Sequence, residues 1–334
     1  MLKENLFLKQ ELRFHDGKFR IILFSDTQDG THYDPRTPAA INAMVEREKP
    51  DLVLFDGDNV NRCGTPEEFC ATLSAFVEPL EKRGIPWAHV FGNHDEERNP
   101  LTKQEQQAIY EKFPHCISKS AAGIHGVGNH VLPVKASRGD RIAFAVWGLD
   151  SNQYIRELGD EIGYPGLEQD IRLPEPLVRN CEYDIIRFDQ IMWYYNSSLE
   201  LERHNGGRIP AIMYFHTCLE EFMAITKNPV FTCMTGEHNE PICPGPVNSG
   251  MFAALLQRGD VKGVFCGHDH INTYEGTYCG IRLSFVDCIG FGTYGLGGSD
   301  AENNRLRGAR MLDIDEANPD AFTSTLLLAS DYLK

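Results

Sequence analysis

The stretch Phe91-Gly92-Asn93-His94-Asp95 carries residue types that can do chemistry. An asparagine offers a neutral oxygen ligand. A histidine offers a titratable proton or a ligating nitrogen, and an aspartate a carboxylate able to orient it. Alone, Gly-Asn-His-Asp reads equally well as a polar turn with a capping residue. Repetition decides between the two readings. Five short apolar runs, each rich in Val, Ile, Leu or Phe as a buried strand should be, end at once in such residues. Residues 21–25 lead to Asp26-Thr27-Gln28, and residues 52–55 lead to Asp56-Gly57-Asp58-Asn59. Residues 86–91 lead to the stretch above, residues 211–215 to His216, and residues 261–266 to Gly267-His268-Asp269-His270. Ligands of α/β sheets bind outside the carboxyl ends of the strands. Five strand ends delivering Asp, Asn, Gln and His point to one converging site with the donor types of a metal centre.

The elements that must position these residues are legible around them. Ala40, Ile41, Met44 and Val45 give a helical stripe over residues 37–49. Thr65 caps a helix over residues 66–83, with Pro66 at its first position and Glu67 and Glu68 in its first turn. Gly84 ends that helix, and another spans residues 102–113. The first 115 residues therefore alternate strand and helix, a parallel α/β half, behind an edge strand or arm over residues 1–20. Beyond residue 130, strands are expected over 131–134, 142–147, 281–288, 309–314 and 322–328, and a short helix over 250–257. A longer helix over 187–204 places Phe188, Ile191, Met192, Tyr195 and Leu199 on one face, and Asn205-Gly206-Gly207 stops it. No Ser/Gly-rich linker divides the chain. A single domain over residues 1–334, with long inserted loops near 150–186 and 228–249, is the expectation.

Composition narrows the function. The chain has 334 residues, 42% of them hydrophobic, enough for a sizeable core. Its formal net charge is −16 and no Lys/Arg cluster forms a basic track, which argues against a long nucleic acid as partner. An acidic chain still binds an anionic substrate where metal ions supply the local positive charge. The N-terminal residues carry charges throughout and no apolar signal-peptide core, and no run approaches a transmembrane span. Ten cysteines occur without a C-x-x-C pair, so buried free thiols in a reducing, cytoplasmic compartment are expected. Gly290 to Gly295 matches G-x-G-x-x-G, but no helix opens at it and no βαβ unit continues, so a glycine-rich turn at the site rim is the better reading.

Taken in order, D-x-Q, GD, GNHD, a lone His after a strand, and GH-x-H resemble the calcineurin-like metallophosphoesterases over roughly residues 20–290. GDNV, IPWAHVFGNHDEE, YFHTCLEEF and CPGPVNSGMF resemble a branch containing yeast and plant purple-acid-phosphatase-like proteins. The resemblance implies a four-layer α/β/β/α sandwich of two mixed sheets. It also implies two divalent metal ions (Mn, Fe, Zn or Mg) and hydrolysis of a small phosphorylated substrate by a bridging hydroxide. Asp26, Gln28 and His270 would hold the first ion, Asp58 would bridge, and Asn93, His216 and His268 would hold the second. His94 would act as general acid, oriented by Asp95. Gln28 stands where the family usually has His, which favours Mn²⁺, Mg²⁺ or Fe over Zn²⁺. Asn61 stands where purple enzymes carry their tyrosine, so no purple colour is implied. Arg62, Asn152, His238 and Tyr294 lie in loops beside the motifs and are candidate substrate contacts. A phosphomonoesterase is the favoured reading. A phosphodiesterase or nuclease on the same site, and a non-catalytic interaction scaffold, are the alternatives.

Overall fold

The computed structural model describes residues 8–171 and 182–333. Twelve strands among these form two mixed sheets. In chain order they are β1 (Leu12–Arg13), β2 (Lys18–Phe24), β3 (Leu52–Asp56), β4 (Trp87–Val90), β5 (His130–Lys135), β6 (Ile142–Gly148), β7 (Ala211–Tyr214), β8 (Val261–Cys266), β9 (Glu275–Tyr278), β10 (Ile281–Phe285), β11 (Gly308–Asp315) and β12 (Thr323–Leu328). The seven-stranded sheet runs β1-β5-β6-β7-β8-β10-β9, and the five-stranded sheet runs β12-β11-β2-β3-β4.

Alternation along each strand explains the layering. In β2, Ile21 and Leu23 face the other sheet, in a core shared with Leu52, Leu54, Ile212, Tyr214 and Phe265. Ile22 and Phe24 face outward and meet Ala40, Ile41, Met44 and Val45 of the helix Arg36–Glu48 and Phe69, Leu73 and Phe76 of the helix Pro66–Glu81. On the far side, Met213 and Val264 pack under the helices Phe188–Asn205 and Met251–Arg258. Strands apolar on both faces need cover on both, and the result is the four-layer α/β/β/α sandwich.

The expected helix starts are where the capping chemistry put them. Thr65 accepts from Glu68 N at 3.2 Å with Pro66 at the first helical position. Thr102 and Glu105 close a capping box on Lys103–Tyr110. One helix face is corrected. In Phe188–Asn205 the buried stripe is Gln190, Ile191, Trp193, Tyr194, Ser198 and Leu201, whereas Phe188 is 74% exposed and Met192 39%. Tyr194 and Ser198 both donate to the buried Asp260 carboxylate, and that polar anchor fixes the helix rotation. The arm ahead of β2 is an edge strand: β1 pairs with β5 in the seven-stranded sheet before the chain crosses to the other. Strand β9, paired antiparallel to β10, is an element that the sequence pattern does not predict. The loop near 150–186 contains two short helices, Ile155–Glu161 and Leu167–Asp170, and its residues 172–181 lie outside the described part. Among the described residues no helix is long and apolar enough to cross a membrane.

Candidate metal centre

Register brings the five motifs to one end of the sandwich. Strands β2, β3 and β4 run parallel, with Phe24 opposite Phe55 and Asp56 opposite Val90. Asp26, Asp58 and Asn93 follow these strand ends by two or three residues. In the other sheet β7 and β8 are parallel with Tyr214 opposite Phe265, and His216 and His268 follow two residues past their strands. A bridge between Ser25 and Cys288 stitches the sheets at this end. The turns are tight. A Cβ on Gly92 would overlap Asp58 Oδ1 and sit 2.7 Å from His216 Cδ2. A Cβ on Gly267 would overlap Ser25 Oγ and sit 2.9 Å from Asp26 Oδ2. Asp26, Gln28, Asp58 and His268 have positive φ of 52°, 34°, 48° and 71°. Left-handed backbone costs roughly 1–2 kcal/mol per non-glycine residue, and such strain concentrates at working sites.

The side chains converge as ligands do. Asp58 Oδ2 lies 3.1 Å from His216 Nε2, and Asp26 Oδ1 lies 3.7 Å from the same nitrogen and 3.2 Å from His270 Nε2. Donor atoms of Asp58, His216 and His268 fall within 4.8 Å of one another. Yet Asp26 Oδ1, His216 Nε2 and both amide atoms of Asn93 are buried without a hydrogen bond among the described residues. Buried polar atoms are almost always satisfied. Lone pairs from both sheets aimed at one space fit a cation, so the residues present suit the divalent ions that the motifs imply. His216 Nδ1 meets the Asp56 carbonyl at 2.7 Å, which puts its proton there and leaves Nε2 as the ligating atom. Gln28 fits less directly. Its Oε1 accepts from Thr293 Oγ1 at 2.9 Å, and its Nε2 faces Asp58 Oδ2 at 3.5 Å.

The electrostatics agree. Burial acts against the Asp58 charge, but His216 overrides it and holds the carboxyl well below the usual carboxylate range. Burial likewise opposes the His216 charge, yet Asp58 and Asp26 outweigh it and push the imidazole up to about 10. This is a concentration of negative charge that attracts a cation. His268 is the opposite case, with burial and the neighbouring His216 pushing it down to about 3, so it stays neutral and ready to ligate.

One expected role is overturned. Asp95 does not orient His94. Its carboxylate faces inward, accepting from Gly92 N at 2.7 Å on Oδ2 and from Asn59 N at 2.8 Å and Val60 N at 3.3 Å on Oδ1. Burial, with the Asp58 charge next, pushes this carboxyl up to about 7. The partner of His94 is Glu97, whose Oε2 meets Nδ1 and whose Oε1 accepts from Tyr154 OH at 3.3 Å. A tight turn folds Asp95 under the Gly92 backbone and leaves Glu97 beside the ring. His94 itself is 32% exposed in its side chain, while its backbone N donates to Asp58 Oδ1 at 2.8 Å.

The four candidate substrate contacts separate. Tyr294 stacks flat on His270, with centroids 4.1 Å apart, and its hydroxyl donates to Glu240 Oε2 at 3.0 Å. Arg62 is exposed, donates to the Gln28 carbonyl at 3.1 Å, and lines a cavity of ≈ 370 Å³ with Asp29, Thr31, His32 and Glu68. Asn152 is buried, with Nδ2 committed to the Ile185 carbonyl at 2.8 Å and Gln190 Oε1 at 3.1 Å, which is a structural task. His238 sits in an exposed loop with its ring edge-on to Tyr274. Sequence reasoning missed Ser25, whose Oγ donates to Asp26 Oδ2 at 2.6 Å, and also Glu97 and Thr293. It missed Tyr183 as well, 4.2 Å from the His268 ring, for which the sequence carries no signal. The G-x-G-x-x-G turn is explained by packing: a Cβ on Gly290 would strike the Asp26 and Thr27 carbonyls, and one on Gly292 the Asp29 carboxylate.

Comparison with known proteins follows the same line. The chain is 29% identical over 323 residues to "Probable inactive purple acid phosphatase 14" of Arabidopsis thaliana, covering 86% of this chain and 75% of that protein. It is 27% identical over 289 residues to "Phosphatase DCR2" of Saccharomyces cerevisiae, covering 78% of this chain and 45% of the yeast protein. In fold it is similar to a dimetal phosphatase from Danio rerio (TM-score 0.58, 12% identity, 93% of this chain and 96% of that one). It also resembles in fold GAP50, the anchor in the inner membrane complex of Plasmodium (TM-score 0.52, 10% identity, 95% and 86%). The family described as Calcineurin-like phosphoesterase matches residues 19–272, the span that holds every motif converging here, and the chain belongs to that family.

Proposed function

We propose that the chain is an active, metal-dependent phosphoesterase that favours phosphomonoesters of small molecules. The observation that carries this reading is the set of buried atoms on Asp26, Asn93 and His216 that gather beside Asp58 from two different sheets and have no hydrogen bond among the described residues. A scaffold has no use for such atoms, each of which costs stability when left unsatisfied. Asp26, Gln28 and His270 would hold one ion, Asn93, His216 and His268 the other, with Asp58 between them. Two divalent ions so held would supply a water of lowered pKa and positive charge beside the phosphoryl oxygens. His94 stands apart from the ligands at the exposed rim. With Nδ1 turned to Glu97, its Nε2 is the atom available to hand a proton to the leaving oxygen. Free thiols at Cys63, Cys116, Cys266 and Cys288 are buried and suit a reducing compartment, in keeping with a cytoplasmic enzyme.

The test is a panel of phosphomonoesters, phosphodiesters and a DNA, given to metal-stripped protein with and without Mn²⁺. Metal-dependent hydrolysis with monoesters preferred is expected. His94→Ala should keep its bound metal and lose about 10²–10⁴-fold on an alkyl phosphate, the usual worth of general acid catalysis, and less on an aryl phosphate with a good leaving group. Full metal occupancy with no hydrolysis of any ester would favour the scaffold reading.

A further inference from the structure

We propose that Thr293 is a positioning residue that sets two ligands of the first metal position at once, Gln28 and His270. The inference rests on the metal-centre reading above and extends it to a residue outside the family motifs. Thr293 Oγ1 lies 2.9 Å from Gln28 Oε1 and 3.1 Å from His270 Nδ1. One hydroxyl therefore touches the side chains of two residues 242 positions apart (270 − 28) that follow strands of different sheets.

The chemistry of each contact is specific. A hydroxyl carries one proton and two lone pairs. Toward His270 it accepts from Nδ1–H. That places the proton of the neutral imidazole on Nδ1 and leaves the lone pair on Nε2, the atom 3.2 Å from Asp26 Oδ1. Toward Gln28 it donates to Oε1, which leaves the amide nitrogen facing Asp58 Oδ2 at 3.5 Å. An amide nitrogen donates and does not ligate, so binding a cation through Gln28 requires the amide to turn over. The same Thr293 oxygen then accepts from Gln28 Nε2–H with its second lone pair while keeping the His270 contact. Thr293 is thus the fixed point for both orientations of the amide and for the His270 tautomer. An imidazole at position 28 would have no amide to turn over.

The loop carrying Thr293 does not depend on that hydroxyl. Arg307 Nη2 holds the backbone carbonyls of Thr293 and Tyr294 at 2.7 and 2.8 Å. Removing the hydroxyl should therefore leave the loop in place and act on the ligands alone. Partners that orient metal ligands are typically worth 10–100-fold in metal affinity.

The experiment is calorimetric titration of metal-stripped protein with Mn²⁺, comparing wild type, Thr293→Val, which keeps the shape without the hydroxyl, and Thr293→Ser, which restores it. Far-UV circular dichroism and thermal melting of each stripped protein check the fold. The proposal expects two ions in wild type, one of them bound 10–100-fold more weakly in Thr293→Val and the other unchanged, with Thr293→Ser near wild type. Equal loss at both ions, or equal weakening in Thr293→Ser, would overturn it by making the effect a general one. Wild-type affinity for both ions in Thr293→Val would also overturn it, and would leave the phosphoesterase reading standing. Failure of wild type to take up any ion would overturn the metal-centre reading itself, and Thr293 with it. Should Thr293→Val melt early, Thr293→Ala is titrated in its place and read by the same outcomes.

Discussion

Replacing Asp95 by asparagine separates two accounts of that residue. The carboxylate accepts three buried backbone N–H groups, from Gly92 on one oxygen and from Asn59 and Val60 on the other. Asparagine has the same shape but only one oxygen. Whichever way its amide turns, an NH₂ faces at least one N–H, and one or two buried donors lose their acceptor. A hydrogen bond to a charged group contributes about 1.5–3 kcal/mol, and a buried unsatisfied donor costs about 1–3 kcal/mol. The lost acceptors cost about 2–5 kcal/mol, and Asp95→Asn is expected to destabilise the fold by less than this sum, because a neutral amide also relieves the burial that pushes the carboxyl up to about 7. The lost bonds tie the turn carrying Asn93 to the turn carrying Asp58, so metal affinity should fall as well. The assay is urea unfolding of metal-stripped protein at pH 8, above the point near 7 where this carboxyl titrates, beside Mn²⁺ titration and rates on alkyl and aryl phosphates. An unchanged unfolding midpoint with a selective loss on the alkyl phosphate would refute the reasoning and restore Asp95 as the group that orients His94.

Two further outcomes are expected. Gly267→Ala should destabilise by about 1–3 kcal/mol and weaken metal binding, because its Cβ overlaps Ser25 Oγ and crowds Asp26 Oδ2; adding Ser25→Gly should recover part of the loss, measured as a double-mutant cycle in urea. Asp287 is buried beside Arg310, with Nη2 at 3.5 Å, and burial pushes its carboxyl up to about 7. A carboxyl raised in the folded state contributes stability that is complete below about pH 4 and lost as pH rises to about 7, so Asp287→Asn should flatten the stability profile across that window by up to about 4 kcal/mol; parallel profiles for the two proteins would contradict this.

The sequence made the strand ends plain because polar residues interrupted apolar runs abruptly, and Thr65 marked a helix start by a chemistry that acts within four residues. Everything local in that sense was legible, including the residues now found around Asp58. What escaped depends on contacts between distant segments. Helix Phe188–Asn205 carries two apolar stripes, and only the meeting of Tyr194 and Ser198 with Asp260 selects one of them. Strand β9 reads as Glu-Gly-Thr-Tyr, too polar to announce itself before β10 pairs with it. Glu97 and Asp95 are both plausible neighbours of a histidine in one short turn, and the backbone path of that turn decides between them. Thr293 lay inside a glycine pattern whose glycines serve close packing, and its hydroxyl gained meaning only when the turn settled against Gln28 and His270.

The division of ligands between the sheets has a consequence for the cohesion of the molecule. The five-stranded sheet supplies Asp26, Asp58 and Asn93, and the seven-stranded sheet supplies His216, His268 and His270. Neither layer alone offers a complete set. A cation shared between them would act as a rivet through the sandwich, and its binding free energy would become adhesion between layers, about 4 kcal/mol when the free ion stands at a thousand times its dissociation constant. At the opposite end, where β2 begins, the layers are held by apolar contact, with Phe14 and Phe19 rings 5.7 Å apart. One end of the sandwich is thus fastened by packing that ions do not touch, while at the other a bound ion would add to the Ser25–Cys288 bridge a fastening whose strength follows the ion supply around it.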